Sequence, residues 1–218
     1  MARFEVTTVD DLDRVPVGGH GLLWRPVRRR LGIEAFGVNA YTCEAAGEEV
    51  VEPHDELGGG AGGHEELYIV LSGHAVFTLD GEEQDAPTGT LVFCKDPAVK
   101  RSAVALEAGT TVLAVGGARG EAYRVSAWES YFAAKPLADA GNAAAAAALV
   151  EEALADYPGN PSVLYNLACY RALAGDLDGA TDVLLRAFDA EPRALEWARG
   201  DSDLDAIRDR PEVAARLA

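Results

Sequence analysis

The fold of the first half of the chain is decided by one stretch, which runs Pro53-His54-Asp55-Glu56 and then, after a glycine-rich connection, His64-Glu65-Glu66-Leu67-Tyr68-Ile69-Val70-Leu71-Ser72-Gly73. Side chains in a β-strand alternate between its two faces. His54 therefore shares one face with Glu56. His64 shares a face of the next strand with Glu66 and Tyr68. If both faces look inward, two imidazoles and two carboxylates converge in one cavity.

Other short apolar segments surround this stretch, each rich in Val, Ile, Leu, Phe or Tyr and bounded by Gly, Asp or Pro. They are residues 35–42, 67–71, 75–79, 90–94 and 110–115. The pair Asp80-Gly81 after the third segment is a strong signal for a tight turn. Many short strands at this spacing predict a sandwich or barrel, which we assign to residues 1–126.

The stretch around His54 resembles the first signature of the cupin superfamily. In that signature a strand bearing two histidines is followed by a glutamate that precedes a glycine by seven residues. Glu66 and Gly73 have this spacing, and the segment from Gly89 to Lys100 resembles the second signature. The resemblance covers roughly residues 20–125. It implies a double-stranded β-helix, also called a jelly-roll barrel.

The same resemblance implies a metal held inside the barrel by three histidines and a glutamate. His54 matches the first histidine, and Glu66 matches the glutamate. The pattern departs at the second histidine, where Glu56 stands, and at the last, where Lys100 stands. Imidazole and carboxylate suit Mn, Fe, Ni or Zn, so we predict one divalent transition metal as a cofactor. The predicted ligands are His54, Glu56, His64 and Glu66.

The charges of these residues allow two forms of the pocket. Two carboxylates about 4 Å apart repel each other by roughly 4 kcal/mol at an effective dielectric constant near 20, so a metal, a raised pKa or a cation must relieve them. In one form a divalent metal binds the four ligands and Lys100 orients an anionic substrate. In the other, Lys100 or Arg101 pairs with Glu66 and no metal is held. The predicted substrate-binding residues are Tyr68, Lys100 and Arg101.

The connection between the two parts of the deciding stretch is Gly58-Gly-Gly-Ala-Gly-Gly63. Glycine lacks a side chain and permits positive φ. One interpretation is a mobile flap at the barrel mouth, and the other is a solvated spacer.

The second half of the chain changes to a helical pattern rich in Ala and Leu. Ser126-Ala-Trp-Glu129 has the form of a capping box that begins a helix, and Pro136 should kink or break that helix. Four small or helix-ending residues then recur with a displacement of 34 residues. They are Gly141, Ala146, Ala153 and Pro158, repeated as Gly175, Ala180, Ala187 and Pro192. This period resembles the tetratricopeptide repeat (TPR), so we predict a TPR-like domain over residues 127–218.

The composition excludes several classes of protein. The 218 residues include 19 basic and 36 acidic side chains, for a net charge of −17, so we expect no nucleic-acid partner. No apolar run approaches the ~18–20 residues of a membrane helix, and the first residues lack an apolar signal-peptide core. We therefore expect no membrane association and a cytoplasmic location. The three cysteines are widely spaced, which indicates neither a disulfide framework nor a zinc ribbon.

Two functions remain open from the sequence. The first is a small-molecule-binding barrel whose helical domain docks a protein partner or serves as a stabilising, dimerising appendage. The alternative is a metal-dependent cupin enzyme, an oxygenase, isomerase or lyase, that acts on a small anionic metabolite. Fold alone does not decide between them, so catalytic activity is left open. Cupins commonly dimerise, and the resemblance therefore implies a homodimer.

Overall fold

The computed structural model describes residues 4–17, 21–57 and 62–218, and the chain divides into two units, Met1–Val125 and Ser126–Ala218. We call them the β-unit and the helical unit. The strands of the β-unit are β1 (Val15–Val17), β2 (Leu22–Arg25), β3 (Gly37–Cys43), β4 (Glu49–His54), β5 (Glu65–Ser72), β6 (His74–Leu79), β7 (Glu82–Pro87), β8 (Leu91–Cys94), β9 (Arg101–Ala105) and β10 (Thr111–Gly117). One short helix, α1 (Val27–Leu31), follows β2.

The strands of the β-unit form two antiparallel sheets. One sheet has the order β1-β2-β3-β10-β5-β8, and the other has the order β4-β9-β6-β7. From β3 to β10 the chain passes back and forth between the sheets, returning to its own sheet only in the β6–β7 hairpin. This alternation defines a double-stranded β-helix, so the expected jelly-roll barrel is confirmed.

The barrel interior is filled by the buried face of each strand. On β5 the side chains of Tyr68 and Val70 are almost completely buried, and the Tyr68 ring lies 5.5 Å from that of Phe77 on β6. Burying each such apolar side chain stabilises the fold by roughly 1.5–3 kcal/mol. The inward face of β5 that carries this core also carries Glu66, so the core and the polar centre are built on the same strand.

The β6–β7 hairpin has the turn that the sequence predicts. β6 ends at Leu79 and β7 begins at Glu82, which leaves Asp80 and Gly81 as a two-residue turn. Their φ angles are 49° and 90°, as the favoured hairpin turn requires. The turn fixes the register of the hairpin.

The helical unit consists of consecutive helices with short connections. They are α2 (Trp128–Asp139), α3 (Ala143–Ala153), α4 (Pro161–Leu173), α5 (Leu177–Ala190), α6 (Ala194–Gly200), α7 (Asp205–Arg208) and α8 (Pro211–Leu217). α4 lies at the centre of the unit, where Leu164 and Leu167 are buried against Leu184 and Phe188 of α5. Small residues such as Ala180 are fully buried, which lets neighbouring helices approach closely.

The start of α2 differs from the prediction. The N-cap is Ala127, which makes no side-chain capping bond, so the helix begins one residue later than the capping box at Ser126 predicts. Ser126 instead accepts a hydrogen bond from the Glu129 amide through its backbone carbonyl. Pro136 lies inside α2 and does not break the helix, which continues to Asp139.

Two further predictions concern the glycine-rich connection and membrane association. Most of the glycine-rich connection, residues 58–61, lies outside the described residues, so the flap and the spacer both stay predictions. Among the helices that are described, none has both the length and the apolar character that a membrane crossing needs.

Candidate functional site

His54 is the last residue of β4, and its ring is oriented by the backbone of its own strand. Nδ1 lies 2.7 Å from the carbonyl oxygen of Glu52, so in the neutral ring Nδ1 donates its proton there. Nε2 is then left with a lone pair that faces the barrel interior. The His54 side chain is 35% exposed, so a ligand from solvent can reach it.

Two carboxylates meet Nε2 of His54. Glu56, which follows β4, places Oε1 at 3.7 Å, and Glu66, on β5, places Oε2 at 3.5 Å. Ligand atoms of these three residues lie within 4.8 Å of one another. We call His54, Glu56 and Glu66 the His–Glu cluster. The two strand faces therefore do look inward.

His64 stands beside this cluster rather than in it. Its Nδ1 lies 3.6 Å from Oε2 of Glu56, and the side chain is buried. Burial lowers the pKa of His64, although the charge of Glu66 acts in the opposite direction. A neutral His64 is the consequence. Of the four predicted metal ligands, three converge and the fourth contacts one of them.

Tyr68 and Arg101 both act on Glu66. The Tyr68 hydroxyl donates a hydrogen bond to Oε2 of Glu66 and lies 3.3 Å from Nε2 of His54. Nε of Arg101 lies 3.6 Å from the same Glu66 oxygen, and its Nη1 donates to the Pro97 carbonyl. The Arg101 side chain is fully buried. Of the two cations considered from the sequence, Arg101 is therefore the one that pairs with Glu66.

Lys100 lies elsewhere. Its residue is exposed, immediately before β9, and its backbone amide donates to Oδ1 of Asp80. Lys100 lines a pocket of about 320 Å³ together with Thr78 and Ser102. Because Thr78 and Ser102 alternate with buried neighbours on their strands, this pocket opens on the outer side of the sheet. His54 and Arg101 also line this pocket.

The carboxylates of the cluster differ in electrostatic state. Burial raises the pKa of Glu56 to about 7, and the charge of Glu66 adds to the effect. Burial would also raise the pKa of Glu66, but a protonated His54, the hydrogen bond from Tyr68 and the charge of Arg101 outweigh it and hold that pKa below its usual value. Burial opposes protonation of His54, but Glu66, the Glu52 carbonyl and Glu56 outweigh it and raise the pKa of His54. With both carboxylates ionised and Arg101 charged, the cluster is neutral when His54 is protonated and carries one uncompensated negative charge when His54 is neutral. A bound cation or one proton would balance it.

The donors of the cluster fit a divalent metal. One imidazole nitrogen and two carboxylate oxygens are ligands that Mn, Fe, Ni and Zn accept. The hydrogen bond from His54 to a backbone carbonyl is the support that metal-binding histidines usually have. Oε2 of Glu56 is buried without a hydrogen-bond partner among the described residues, which a ligand or ion would satisfy. The charge of Arg101 opposes a metal but leaves the donor set intact.

The cupin signature aligns Lys100 with its last histidine, so its spacing does not predict that Arg101 pairs with Glu66. A different signal identifies it. Ala103 and Ala105 are small apolar residues that share a strand face with Arg101, and all three are buried. Alternation from the alanines therefore places Arg101 inside and Lys100 outside.

Strand order and a polar centre inside the barrel define the class of the β-unit as a jelly roll with an interior site. Similar solved structures include KdgF from Halomonas sp., at 20% identity and a TM-score of 0.41, covering 53% of this chain and 91% of that chain. A sugar phosphate isomerase of the cupin superfamily from Silicibacter pomeroyi is 19% identical, with a TM-score of 0.43 and coverage of 52% and 76%. An RmlC-like cupin from Shewanella frigidimarina is 18% identical, with a TM-score of 0.39 and coverage of 55% and 95%.

These similarities concern about half of this chain. No protein-family model matches the chain, and no curated protein matches its sequence. The strand order therefore carries the fold class, and the side chains of the site carry any statement on chemistry.

Proposed function

We propose that the β-unit binds a small molecule at the His–Glu cluster. The observation that supports this most is the convergence within 4.8 Å of three potential ligand atoms, from the end of β4, the residue Glu56 after it and β5, one of them on the partly exposed imidazole of His54. A buried site that keeps an uncompensated charge lowers stability, so we expect binding to supply the missing partner.

The surrounding residues have distinct parts in this proposal. Tyr68 and Arg101 hold Glu66 in place and keep it ionised, because one donates a hydrogen bond to it and the other supplies a positive charge. His54 meets the ligand first because its ring is the most exposed of the cluster. Lys100 would contact only a ligand that extends to the outer pocket.

The second candidate is a metal-dependent enzyme, in which His54, Glu56 and Glu66 hold one divalent ion. The buried, unpartnered Oε2 of Glu56 and the oriented ring of His54 favour it. A bound ion would polarise an oxygen atom of the substrate. Around it, Tyr68 positions Glu66 and the neutral His64 is placed to accept a proton near Glu56.

Elemental analysis and native mass spectrometry of the purified protein separate the two candidates. A transition metal near one per chain, lost in His54→Ala and Glu66→Ala, supports the enzyme. A co-purified organic molecule without metal, lost in the same variants, supports the binding barrel. His74→Ala is the matched control, since His74 pairs with Asp85 outside the cluster.

Adding MnCl₂, NiCl₂ or ZnCl₂ to the metal-free protein gives a second measurement. We expect the metal form to unfold at a higher temperature than the apo form, because a ligand of the native state stabilises it by mass action. No bound species and no thermal shift with any ion would contradict both candidates.

For the helical unit we propose a TPR-like array that serves protein interaction. Supporting it, Gly141 and Gly175 adopt nearly the same φ, 79° and 84°, one repeat period apart. Ala146 and Ala180, also one period apart, are both fully buried. If the repeat is structural, Ala146→Leu and Ala180→Leu should each cost about 1–3 kcal/mol of unfolding free energy through overpacking. If urea unfolding gives either variant the same unfolding free energy as wild type, the structural repeat is contradicted.

A further inference from the structure

Residues 118–125, which we call the connector, follow β10 and form neither a helix nor a strand. Tyr123 lies near the end of the connector, and the centre of its ring lies 5.7 Å from that of the His64 ring, with 35° between the two planes. A second contact holds the connector at the same strand, because Nη2 of Arg119 donates to Oε2 of Glu65 over 3.1 Å. The connector therefore passes beside the start of β5, next to the candidate site.

The space that the Tyr123 ring occupies is left by two glycines. Gly37 on β3 lies opposite Gly116 on β10, and Gly116 also lies opposite Glu66 on β5. Residues directly opposite each other in antiparallel strands share a face, so both glycines lie in one row with Glu66 on the inner face of the sheet. A Cβ at Gly37 would lie 3.0 Å from Cε2 of Tyr123, and a Cβ at Gly116 would lie 3.1 Å from Cγ of Glu66. Because the glycines lack side chains, the row has room for the Tyr123 ring.

Other contacts enclose the His64 imidazole. Its Nδ1 lies 3.6 Å from Oε2 of Glu56, and a Cβ at Gly62 would lie 2.5 Å from its Nε2. The imidazole thus has Glu56 at one edge, Gly62 at the other and Tyr123 beside it. A separation of 3.6 Å is slightly longer than a hydrogen bond. A small shift of the imidazole therefore decides whether His64 and Glu56 are hydrogen-bonded.

We propose that Tyr123 is a positioning residue of the candidate site, whose ring holds the imidazole of His64 against Glu56. This inference rests on the proposed function, because it assigns Tyr123 a part in the same binding site. Tyr123 lies outside the His–Glu cluster and acts through His64. Without the Tyr123 ring, the imidazole has space to turn away from Oε2 of Glu56, since side chains relax into a cavity beside them. Water that enters this space would weaken the contact further.

Ring ¹⁵N NMR of the metal-free protein at a single pH tests the proposal. In the wild type, Glu56→Gln should move the ring signals of His64. That response should be lost in Tyr123→Ala and retained in Tyr123→Phe, which keeps an aromatic ring of the same size. Arg119→Ala is the matched control, because it removes only the exposed ion pair of the connector and should leave the response intact.

Tyr123→Leu is a second variant, which keeps most of the apolar bulk and folds even if Tyr123→Ala does not. It should also lose the response, because a branched chain offers no flat surface to the imidazole. Circular dichroism checks that each variant folds.

Three results would overturn the proposal. One is an unchanged response in Tyr123→Ala together with a lower unfolding temperature, since Tyr123 would then only stabilise the barrel. Another is loss of the response in Tyr123→Phe or Arg119→Ala as well, because the aromatic ring would not be the cause. The third is a wild type whose His64 signals ignore Glu56→Gln, which would contradict the shared site itself.

Titration with ZnCl₂ relates the position of His64 to binding. Residues that orient a metal ligand change the affinity by 10–100-fold, and Tyr123 acts one contact further out, so we expect the dissociation constant of zinc to rise about threefold in Tyr123→Ala. Tyr123→Phe should bind zinc as the wild type does. Equal affinity of Tyr123→Ala and wild type would overturn the role of Tyr123 in the site. If zinc binds none of the forms, the metal candidate of the proposed function is contradicted, and the NMR comparison alone decides on Tyr123.

Discussion

The two units of the chain differ in what they bury. The β-unit encloses Glu56, His64 and Arg101 in its interior, and their charges and polar atoms are only partly satisfied. The core of the helical unit is mainly alanine, leucine and valine with a few aromatic residues, has α4 and α5 at its centre, and is accompanied by one buried acid, Glu129. Buried polar groups cost stability unless they are paired, so natural chains keep them mainly where they have a function. The convergence of His54, Glu56 and Glu66 within 4.8 Å is the feature of the β-unit that supports our proposal of a binding site there.

The largest effect is expected where packing alone is at stake. Leu184→Ala removes a side chain of α5 that is fully buried, and we expect it to cost about 2–5 kcal/mol of unfolding free energy. The loss of helical circular dichroism in urea measures it. Leu173→Ala is the control, because Leu173 is 49% exposed and should matter little. Equal costs for the two variants would show that α5 is not packed as described.

Glu56 gives the opposite expectation, since removing its charge should stabilise the β-unit. Burial raises its pKa to about 7 in the folded chain from 4.5, so the folded state holds a proton that the unfolded state releases. Stability therefore falls as pH rises from about 4.5 to about 7, by on the order of 3 kcal/mol. Glu56→Gln removes that loss.

The measurement is thermal unfolding of Glu56→Gln and wild type in EDTA at pH 5 and pH 8. The variant should gain stability at pH 8 and much less at pH 5. Glu82→Gln, on the exposed edge strand β7, is the control and should behave as wild type at both values. A gain that is the same at both pH values would mean that Glu56 is not a desolvated acid.

A smaller effect is expected at Gly73, the glycine that directly follows β5. Gly73 has a φ of +73°, and a Cβ there would lie 2.4 Å from Oγ1 and 2.8 Å from Cα of Thr110. Gly73→Ala should therefore cost about 2–3 kcal/mol. Gly89 has a similar φ of +89° but open space around it, so Gly89→Ala should cost only about 1 kcal/mol. Chemical denaturation measures the unfolding free energy of both variants. Equal losses would mean that backbone strain alone, and not the contact with Thr110, destabilises Gly73→Ala.

Much of the barrel could be predicted because its apolar strands are short runs of apolar residues bounded by turn residues. The segments at 67–71 and 75–79 lie within β5 and β6, and Asp80-Gly81 is the turn between β6 and β7. β7 was missed because it is an edge strand whose exposed acids hide any alternation. β9 was missed as well, since its small alanines and its arginine do not look like a strand.

The site shows a similar division. Alternation correctly indicates that the side chains of His54, Glu56 and Glu66 come together, because each lies on or next to a regular strand. The cation that pairs with Glu66 could not be chosen from the signature, because Lys100 and Arg101 are adjacent and only the register of β9 separates them. Burial of a guanidinium is a tertiary effect that spacing alone does not report.

The convergence of imidazoles and carboxylates is tested most directly by ring ¹⁵N NMR of the histidines, which number four in this chain. If His54 and His64 both contact Glu56, then Glu56→Gln should move the ring signals of both and leave His74 unchanged. His54 should also show the tautomer with the proton on Nδ1 when its ring is neutral. Ring signals of His54 and His64 that do not respond to Glu56→Gln would contradict the shared site.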